Sequence, residues 1–499
     1  MQNGTRLAAV DLGSNSFRLE IGRFDHGQVH RSEYIKETVR QGSGLDEDRQ
    51  LSPEAMQRGW ECLARFGERL ADFRPCQVRA VATQTLREAR NRDVFLQRAE
   101  QVLGFPIDVI AGREEARLIY QGVAHLLPQS TERRLVVDIG GRSTEIILGQ
   151  GFDAQVTESY RVGSVAWSMR YFPEGQFIPK AFQHAEVAAK AVLDEALTNY
   201  PPETWDIAYG ASGTIGAVGD ALAAGGWPAG VITPGGLDWL LERLLRAQSA
   251  DNLRLEGIKE DRRAVIGGGL AVLRATFDLL HIEEMHVALG ALRHGALYDL
   301  LDREHVHTDM RATTVRRLAK KFGVDEAQAA RVSRVATTLF RQLLPDMPAT
   351  DRDRLERKLD WAAQLHEVGM HISHSNYHKH GAYILDNADA PGFALPELHR
   401  LSQLVLGHRG KLRKLDVDFS DGIFARQLLA LRLAALLCHA RRNPDLKGLT
   451  LDCQPPPENR FVLSCRQGWP ATWPQSAHLM REETSAWQKV PWQFQLQGF

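Results

Sequence analysis

Cysteine is scarce and unpatterned in this chain: Cys62, Cys76, Cys438, Cys453 and Cys465 form no C-x-x-C pair, which excludes a disulfide framework or a cysteine zinc site as its organising feature. No charge of one sign predominates, with 61 Lys and Arg against 62 Asp and Glu. The chain therefore has no global field to draw it to nucleic acid or to an anionic membrane, and any polyanion site must be local. No apolar run reaches the length of a membrane span, and Met1-Gln2-Asn3-Gly4 passes into strand-like sequence without a basic and then apolar leader. These absences predict a cytoplasmic protein with reduced thiols, no membrane span and no nucleic-acid partner. At 499 residues the chain is too long for one hydrophobic core, so several domains are expected.

What is present is a repeat. Val10-Asp11-Leu12-Gly13-Ser14-Asn15-Ser16 is matched by Val137-Asp138-Ile139-Gly140-Gly141-Arg142-Ser143, and each copy lies between two apolar stretches. The pattern is strand, tight polar turn, strand. Such a turn aims several backbone N–H groups into one concave space that suits phosphate oxygens, and the strand-end carboxylate stands where a divalent cation can be held. Asp11 recurs as Asp138, Gly13 as Gly140 and Ser16 as Ser143; a hairpin selected only for its turn needs no matching serine beyond it. Two phosphate turns facing each other across a cleft are expected.

Hydrophobic periodicity divides the chain into four parts. Residues 1–125 read as hairpin strands at 7–12 and 17–24, a strand near 30–39, a helix over 53–72, strands at 78–82 and 107–110, a helix around 93–103 and another from Glu114. Residues 126–302 open with the second hairpin and continue with a strand near 154–160, a helix over 179–199 and a strand at 205–209. A loop follows at Gly210-Ala211-Ser212-Gly213-Thr214, then a helix over 262–279, a strand at 284–288 and a helix over 291–301. Residues 303–445 are amphipathic helices rich in histidine. Residues 446–499 read as strand, strand, helix, strand, with Pro455-Pro456-Pro457 as a rigid turn and Trp469, Trp473, Trp487 and Trp492 filling a small core.

The ordered set Asp11-Leu12-Gly13-Ser14-Asn15-Ser16-Phe17, Ala82-Thr83-Gln84-Thr85-Leu86-Arg87, Gly112-Arg113-Glu114-Glu115-Ala116-Arg117-Leu118, Asp138-Ile139-Gly140-Gly141-Arg142-Ser143-Thr144-Glu145 and Gly210-Ala211-Ser212-Gly213-Thr214 resembles the exopolyphosphatase and guanosine pentaphosphate phosphohydrolase (Ppx/GppA) family, over the whole chain. The resemblance implies an α/β fold of duplicated acetate kinase, sugar kinase and actin-like (ribonuclease H-like) domains with an interdomain cleft. An all-α HD-like domain and a small α+β C-terminal domain follow. It implies Glu115 as general base and Arg87 as the arginine that reaches the terminal phosphate. It implies Asp138 as ligand to Mg²⁺, with Glu145 as a second ligand or water positioner and Asp11 holding the same ion through water; Mn²⁺ satisfies the same oxygen ligands, and activation by monovalent cations stays open. Ser14, Asn15, Gly140, Gly141, Ser143 and Thr144 would bind phosphate oxygens, as would Arg18 from the outgoing strand of the first hairpin if its side chain turns toward the cleft. Glu114 serves only the positive end of its helix dipole. Many relatives carry a third glycine where this chain has Arg142, which leaves that loop's contacts open.

In the helical part, Leu365-His366-Glu367-Val368-Gly369 resembles the His-Asp motif of HD phosphohydrolases with Glu in place of Asp, and Leu431–Leu436 carries no acid for a final ligand. A degenerate scaffold is expected. His378, His408, Arg409, Lys411 and Lys414 are candidates for remote contacts to a long polyanion. Mg²⁺-dependent, processive release of orthophosphate from inorganic polyphosphate is the first reading; the same site acting on guanosine pentaphosphate (pppGpp) is the second, and an actin-like or chaperone-like nucleotide switch the third. The family resemblance also implies a homodimer.

Overall fold

The computed structural model describes residues 2–303, 308–454 and 458–499, so the expected turn at Pro455-Pro456-Pro457 lies outside the described residues. Two compact units are present, Met1–Asp309 and Met310–Phe499.

The first unit contains two sheets. In the first, β1 (Arg6–Leu12), β2 (Ser16–Asp25), β3 (Gln28–Thr38), β4 (Val78–Ala82) and β5 (Ile107–Val109) lie in the order β3-β2-β1-β4-β5. The second holds β6 (Arg133–Ile139), β7 (Thr144–Gln150), β8 (Asp153–Tyr160), β9 (Ile207–Ala211), β10 (Val231–Ile232) and β11 (Met285–Val287) in the order β10-β11-β9-β6-β7-β8. In each sheet an antiparallel three-strand meander is extended by two parallel strands. The hairpin repeat is thus the visible part of a duplicated α/β architecture, expected from the sequence. Parallel strands buried on both faces explain the nearly unbroken apolar runs in β1, β4 and β6.

Two helices cross between the lobes. The helix Gly112–Leu126 packs Ala116, Ile119 and Tyr120 into a core shared with Val136 and Ile147 of the second sheet, while the helix Leu292–Arg303 places Ala296 and Leu297 against Leu7 and Ala9 of the first. Division at residue 125 therefore separates each helix from the sheet it packs on. The crossing is backbone to backbone, since a Cβ on Gly295 would overlap the Leu118 carbonyl and one on Gly122 the Ala291 carbonyl.

Some elements differ from the sequence expectation. The loop expected at 210–214 is the end of β9 followed directly by the helix Ser212–Ala224. Its Gly- and Ala-rich sequence carries no amphipathic stripe to reveal it. The helix Pro234–Ala247 opens with Pro-Gly-Gly, which imitates a turn, yet the Thr233 hydroxyl caps it by accepting from Gly236 N–H at 3.3 Å. The segment 179–199 is two helices, Pro179–Leu193 and Ala196–Asn199.

In the second unit, helices surround β12 (Leu449–Gln454), β13 (Arg460–Cys465) and β14 (Gln493–Gln497), ordered β12-β13-β14. One core runs through Leu359, Leu428, Leu451, Phe461 and Trp487, so residues 446–499 share the core of the helices rather than building their own. Trp469, Trp487 and Trp492 are buried in it, but Trp473 is 41% exposed. The HD-like dipeptide serves this packing. His366 donates from Nδ1 to the Ala363 carbonyl, and Glu367 pairs with Arg441 at 3.0 Å. The late helix Gly422–Leu437 supplies Arg432, which binds Glu483 in a buried pair.

Candidate functional site

The two hairpins superimpose residue for residue in register. Asp11 stands opposite Arg18 across β1 and β2, and Asp138 opposite Glu145 across β6 and β7. The duplicated position thus carries a cation in one lobe and an anion in the other. In the first lobe Arg18 binds Asp11 at 2.9 Å. Each turn is tight enough that a Cβ on Gly13 or Gly140 would come within 3.0 Å of the carbonyl oxygen three residues on, at Ser16 or Ser143. Closure needs glycine there, and in the second turn the Gly140 N–H donates to the Ser143 carbonyl at 2.9 Å. The turns abut, with Ser14 Cβ at 2.9 Å from a Cβ built on Gly141.

Between them lies a cavity of ≈ 460 Å³ whose wall includes Asp11, Ser14, Asn15, Arg18, Glu115, Asp138, Gly140, Gly141 and Ser143. The Asn15 side-chain amide nitrogen and the Ser16 hydroxyl are buried without a hydrogen-bond partner among the described residues. Unpaired buried donors of this kind are costly unless a ligand satisfies them.

Glu115 lies in the first turn of the helix Gly112–Leu126 and is 7% exposed. Arg87 donates to it from both terminal nitrogens, at 3.1 and 3.2 Å. Burial first, and the neighbouring Glu145 carboxylate second, raise the proton affinity of Glu115. Burial and then Glu115 push Asp138 up to about 7; burial and then Asp138 raise Glu145. The crowding of buried carboxylates is the cause. It makes Glu115 a stronger base than a solvated glutamate, and it is relieved by a divalent cation.

The donors are hard oxygens, the chemistry of a Mg²⁺ site. Among the described residues, however, no three His, Cys, Asp or Glu side chains form a ready metal cluster. The expected ligand set of Asp138, Glu145 and Asp11 is therefore not preassembled: Asp11 is engaged by Arg18, and Glu145 accepts from the Ser159 hydroxyl at 2.7 Å. An ion held here would take one or two carboxylates and depend on water and phosphate oxygens for the rest, the usual habit of Mg²⁺.

Other expected site residues are placed differently. Thr144 is fully buried and spends its hydroxyl on the Val162 carbonyl at 2.6 Å, which leaves only its backbone N–H for a phosphate. Arg87 faces Glu115 and Gln84 rather than the cavity wall. In the second unit, His408 is 2% exposed, donates to the Val405 carbonyl and stands 3.3 Å from the Tyr377 hydroxyl; a core histidine of this kind is unavailable to a polyanion. His378 is half-buried beside Arg409, and only Arg409, Lys411 and Lys414 are exposed.

Sequence reading missed Arg262. It is 9% exposed, its guanidinium lies against Gly213 where a Cβ would collide with it, and it lines the cavity with Lys36 and Lys259. Burial, then Arg18, lower its pKa, and the nearby Asp261 carboxylate only partly offsets them. Its position in an amphipathic helix gave no signal; only the packing of Glu260–Leu280 under the turn at Ser212 reveals it. Ser212 itself holds φ of 87°, a strained conformation of the kind found at functional turns.

The Ppx/GppA phosphatase family description matches residues 21–304, and that of Ppx/GppA phosphatase, domain III, matches 310–484. Proteins named guanosine-5′-triphosphate,3′-diphosphate pyrophosphatase from Vibrio atlanticus and Vibrio cholerae are 40% and 38% identical to this chain, over 97% of both sequences. Among solved structures, a Ppx/GppA family member from Aquifex aeolicus is 24% identical with a TM-score of 0.51, covering 60% of this chain and 99% of its own. An exopolyphosphatase from Cytophaga hutchinsonii is 23% identical with a TM-score of 0.54, covering 60% and 98%; both likenesses concern the fold. With both family descriptions matched across most of its length and this extent of sequence identity, the chain belongs to the Ppx/GppA phosphatase family.

Proposed function

We propose that this protein hydrolyses the terminal phosphoanhydride of the 5′-triphosphate of guanosine 5′-triphosphate 3′-diphosphate, releasing orthophosphate. The observation that carries the reading is 38–40% identity, across 97% of both chains, to relatives named for that nucleotide. The cavity supports it. Beyond the phosphate turns it continues along Gly213, Gly216 and Ala217, a flat wall of small residues, with Lys36, Lys259 and Arg262 beside it. A nucleoside with a second phosphate group matches that combination better than a uniform polymer, so polyphosphate becomes the second reading.

In this mechanism the N–H groups of the two turns and the Asn15 amide hold the terminal phosphate. Glu115 takes a proton from water as the water oxygen bonds to phosphorus; the bond to the bridging oxygen breaks, and the nucleoside product leaves with that electron pair. Arg87, paired with Glu115 outside the cavity wall, holds the carboxylate toward the water. A divalent cation, Mg²⁺ by ligand hardness, would be held by Asp138 with Glu145 behind it and would neutralise charge on the phosphate chain.

The test is orthophosphate release by the purified protein with Mg²⁺, on the nucleotide and on long-chain polyphosphate under matched conditions. A higher kcat/KM for the nucleotide is expected. Preference for the polymer overturns the substrate, and release from neither overturns the hydrolase reading in favour of a nucleotide switch. Arg262→Ala should raise KM for the nucleotide about ten- to hundredfold, the loss expected for one hydrogen bond to a charged group; an unchanged KM removes Arg262 from substrate binding. Asp138→Asn should shift the Mg²⁺ titration to higher concentration, and an unchanged titration argues against coordination there.

A further inference from the structure

Arg142, which stands in the second phosphate turn, does not line the cavity. Its side chain is 20% exposed and leaves the second lobe for the first. It pairs with Glu88 at 3.2 Å and donates to the Gly42 carbonyl at 3.2 Å. Glu88 also faces Arg161 of the second lobe at 3.8 Å. Glu88 accepts from Gln84 Nε2 at 2.6 Å, Gln84 Oε1 accepts from Arg87 Nε at 3.0 Å, and Arg87 reaches Glu115. Four consecutive side-chain interactions thus join a residue of one lobe to the candidate base beside the other. Gln84 and Glu115 are 4% and 7% exposed, so water competes weakly for the inner links.

Resting on the hydrolase reading above, we propose that Arg142, Glu88 and Gln84 are positioning residues: contact of Arg142 with Glu88 registers closure of the two lobes and, through Gln84, fixes the Arg87 guanidinium that orients Glu115. A surface arginine chosen for solubility would face water; this one meets a carboxylate and a carbonyl of the opposite lobe. Since Arg142 lies outside the cavity wall, its loss affects the orientation of the base rather than the hold on substrate. The effect belongs on kcat and leaves KM in place.

The experiment is steady-state kinetics on the nucleotide for wild type, Arg142→Ala, Glu88→Ala, the double variant and Arg142→Lys, with melting temperatures measured alongside. Expected are a fall in kcat of about tenfold in each alanine variant with KM within about twofold, since misorientation of a reacting group costs at least that. The double variant should be no worse than either single one, the non-additivity of residues acting through one contact, and Arg142→Lys should recover part of the rate. Should Arg142→Ala melt early, Glu88→Gln, which keeps the shape and removes the charge, carries the same kcat expectation. Wild-type kcat in Arg142→Ala or Glu88→Gln, or additive losses in the double variant, overturns the proposal while leaving the hydrolase reading standing. Wild-type protein inert on both substrates removes the hydrolase reading, and this proposal with it.

Discussion

Glu115→Gln lowers kcat for phosphate release by roughly 10²–10⁴-fold, the usual contribution of a general base, with nucleotide binding preserved. The substitution keeps the side chain's size and its ability to accept from Arg87, so the 3.1 Å contact survives in weaker form. What it removes is the proton acceptor. It also relieves crowding, because Glu115 is one of the carboxylates that raise the proton affinity of Asp138; the folded protein should therefore be no less stable than wild type. Single-turnover phosphate release together with nucleotide binding checks both halves. Near-normal turnover would exclude Glu115 as the base, and lost binding would make it a ligand contact instead.

Asp299→Ala is expected to destabilise the protein by about 3–5 kcal/mol, the cost of removing one partner from a buried ionic cluster, and to lower Tm by roughly 10 °C. Asp299 is 2% exposed and binds Arg117 at 2.6 Å, Arg303 at 2.7 Å and Arg79 at 2.8 Å. Without it, three guanidinium groups lose their shared carboxylate in the joint between the crossing helices. Burial alone would raise its pKa, but Arg79, Arg303 and Arg117 outweigh burial and hold the carboxyl far below the usual range. A depressed folded pKa means that this stabilisation is fully present above the unfolded value of about 3.9 and is lost as pH falls from there toward the folded value. Thermal unfolding at neutral pH therefore reads the whole effect. A Tm within a few degrees of wild type would mean the arginines find water or other acceptors.

The two glycine turns were legible because short-range chemistry writes them: a strand-end aspartate, a glycine that closes the turn and a serine beyond it must be adjacent in the chain. Glu115 and Arg87 became legible only through the ordered motifs that resemble a family, since acids are common in first helical turns and nothing local distinguishes Glu115 from Glu114. The structure separates them. Glu114 is 2% exposed and bound by Arg117 at 2.8 Å, while Glu115 faces the cavity. His408 and the Thr144 hydroxyl were misread for a related reason: a histidine beside a basic run and a threonine hydroxyl beyond a glycine turn look available in one dimension, and burial decides that they are not.

By itself, the sequence determined the duplicated α/β class and the paired turns, because periodicity and local spacing encode strands, turns and their repetition, while the family rested on the resemblance of its ordered motifs. Only the tertiary structure decided which sheet each crossing helix packs on, that Arg262 lies buried against Gly213 in the cavity wall, that Arg142 reaches Glu88 and that the C-terminal strands share the helical core. Each of those depends on partners tens to hundreds of residues apart, and their desolvation and charge pairing exist only after the chain has folded.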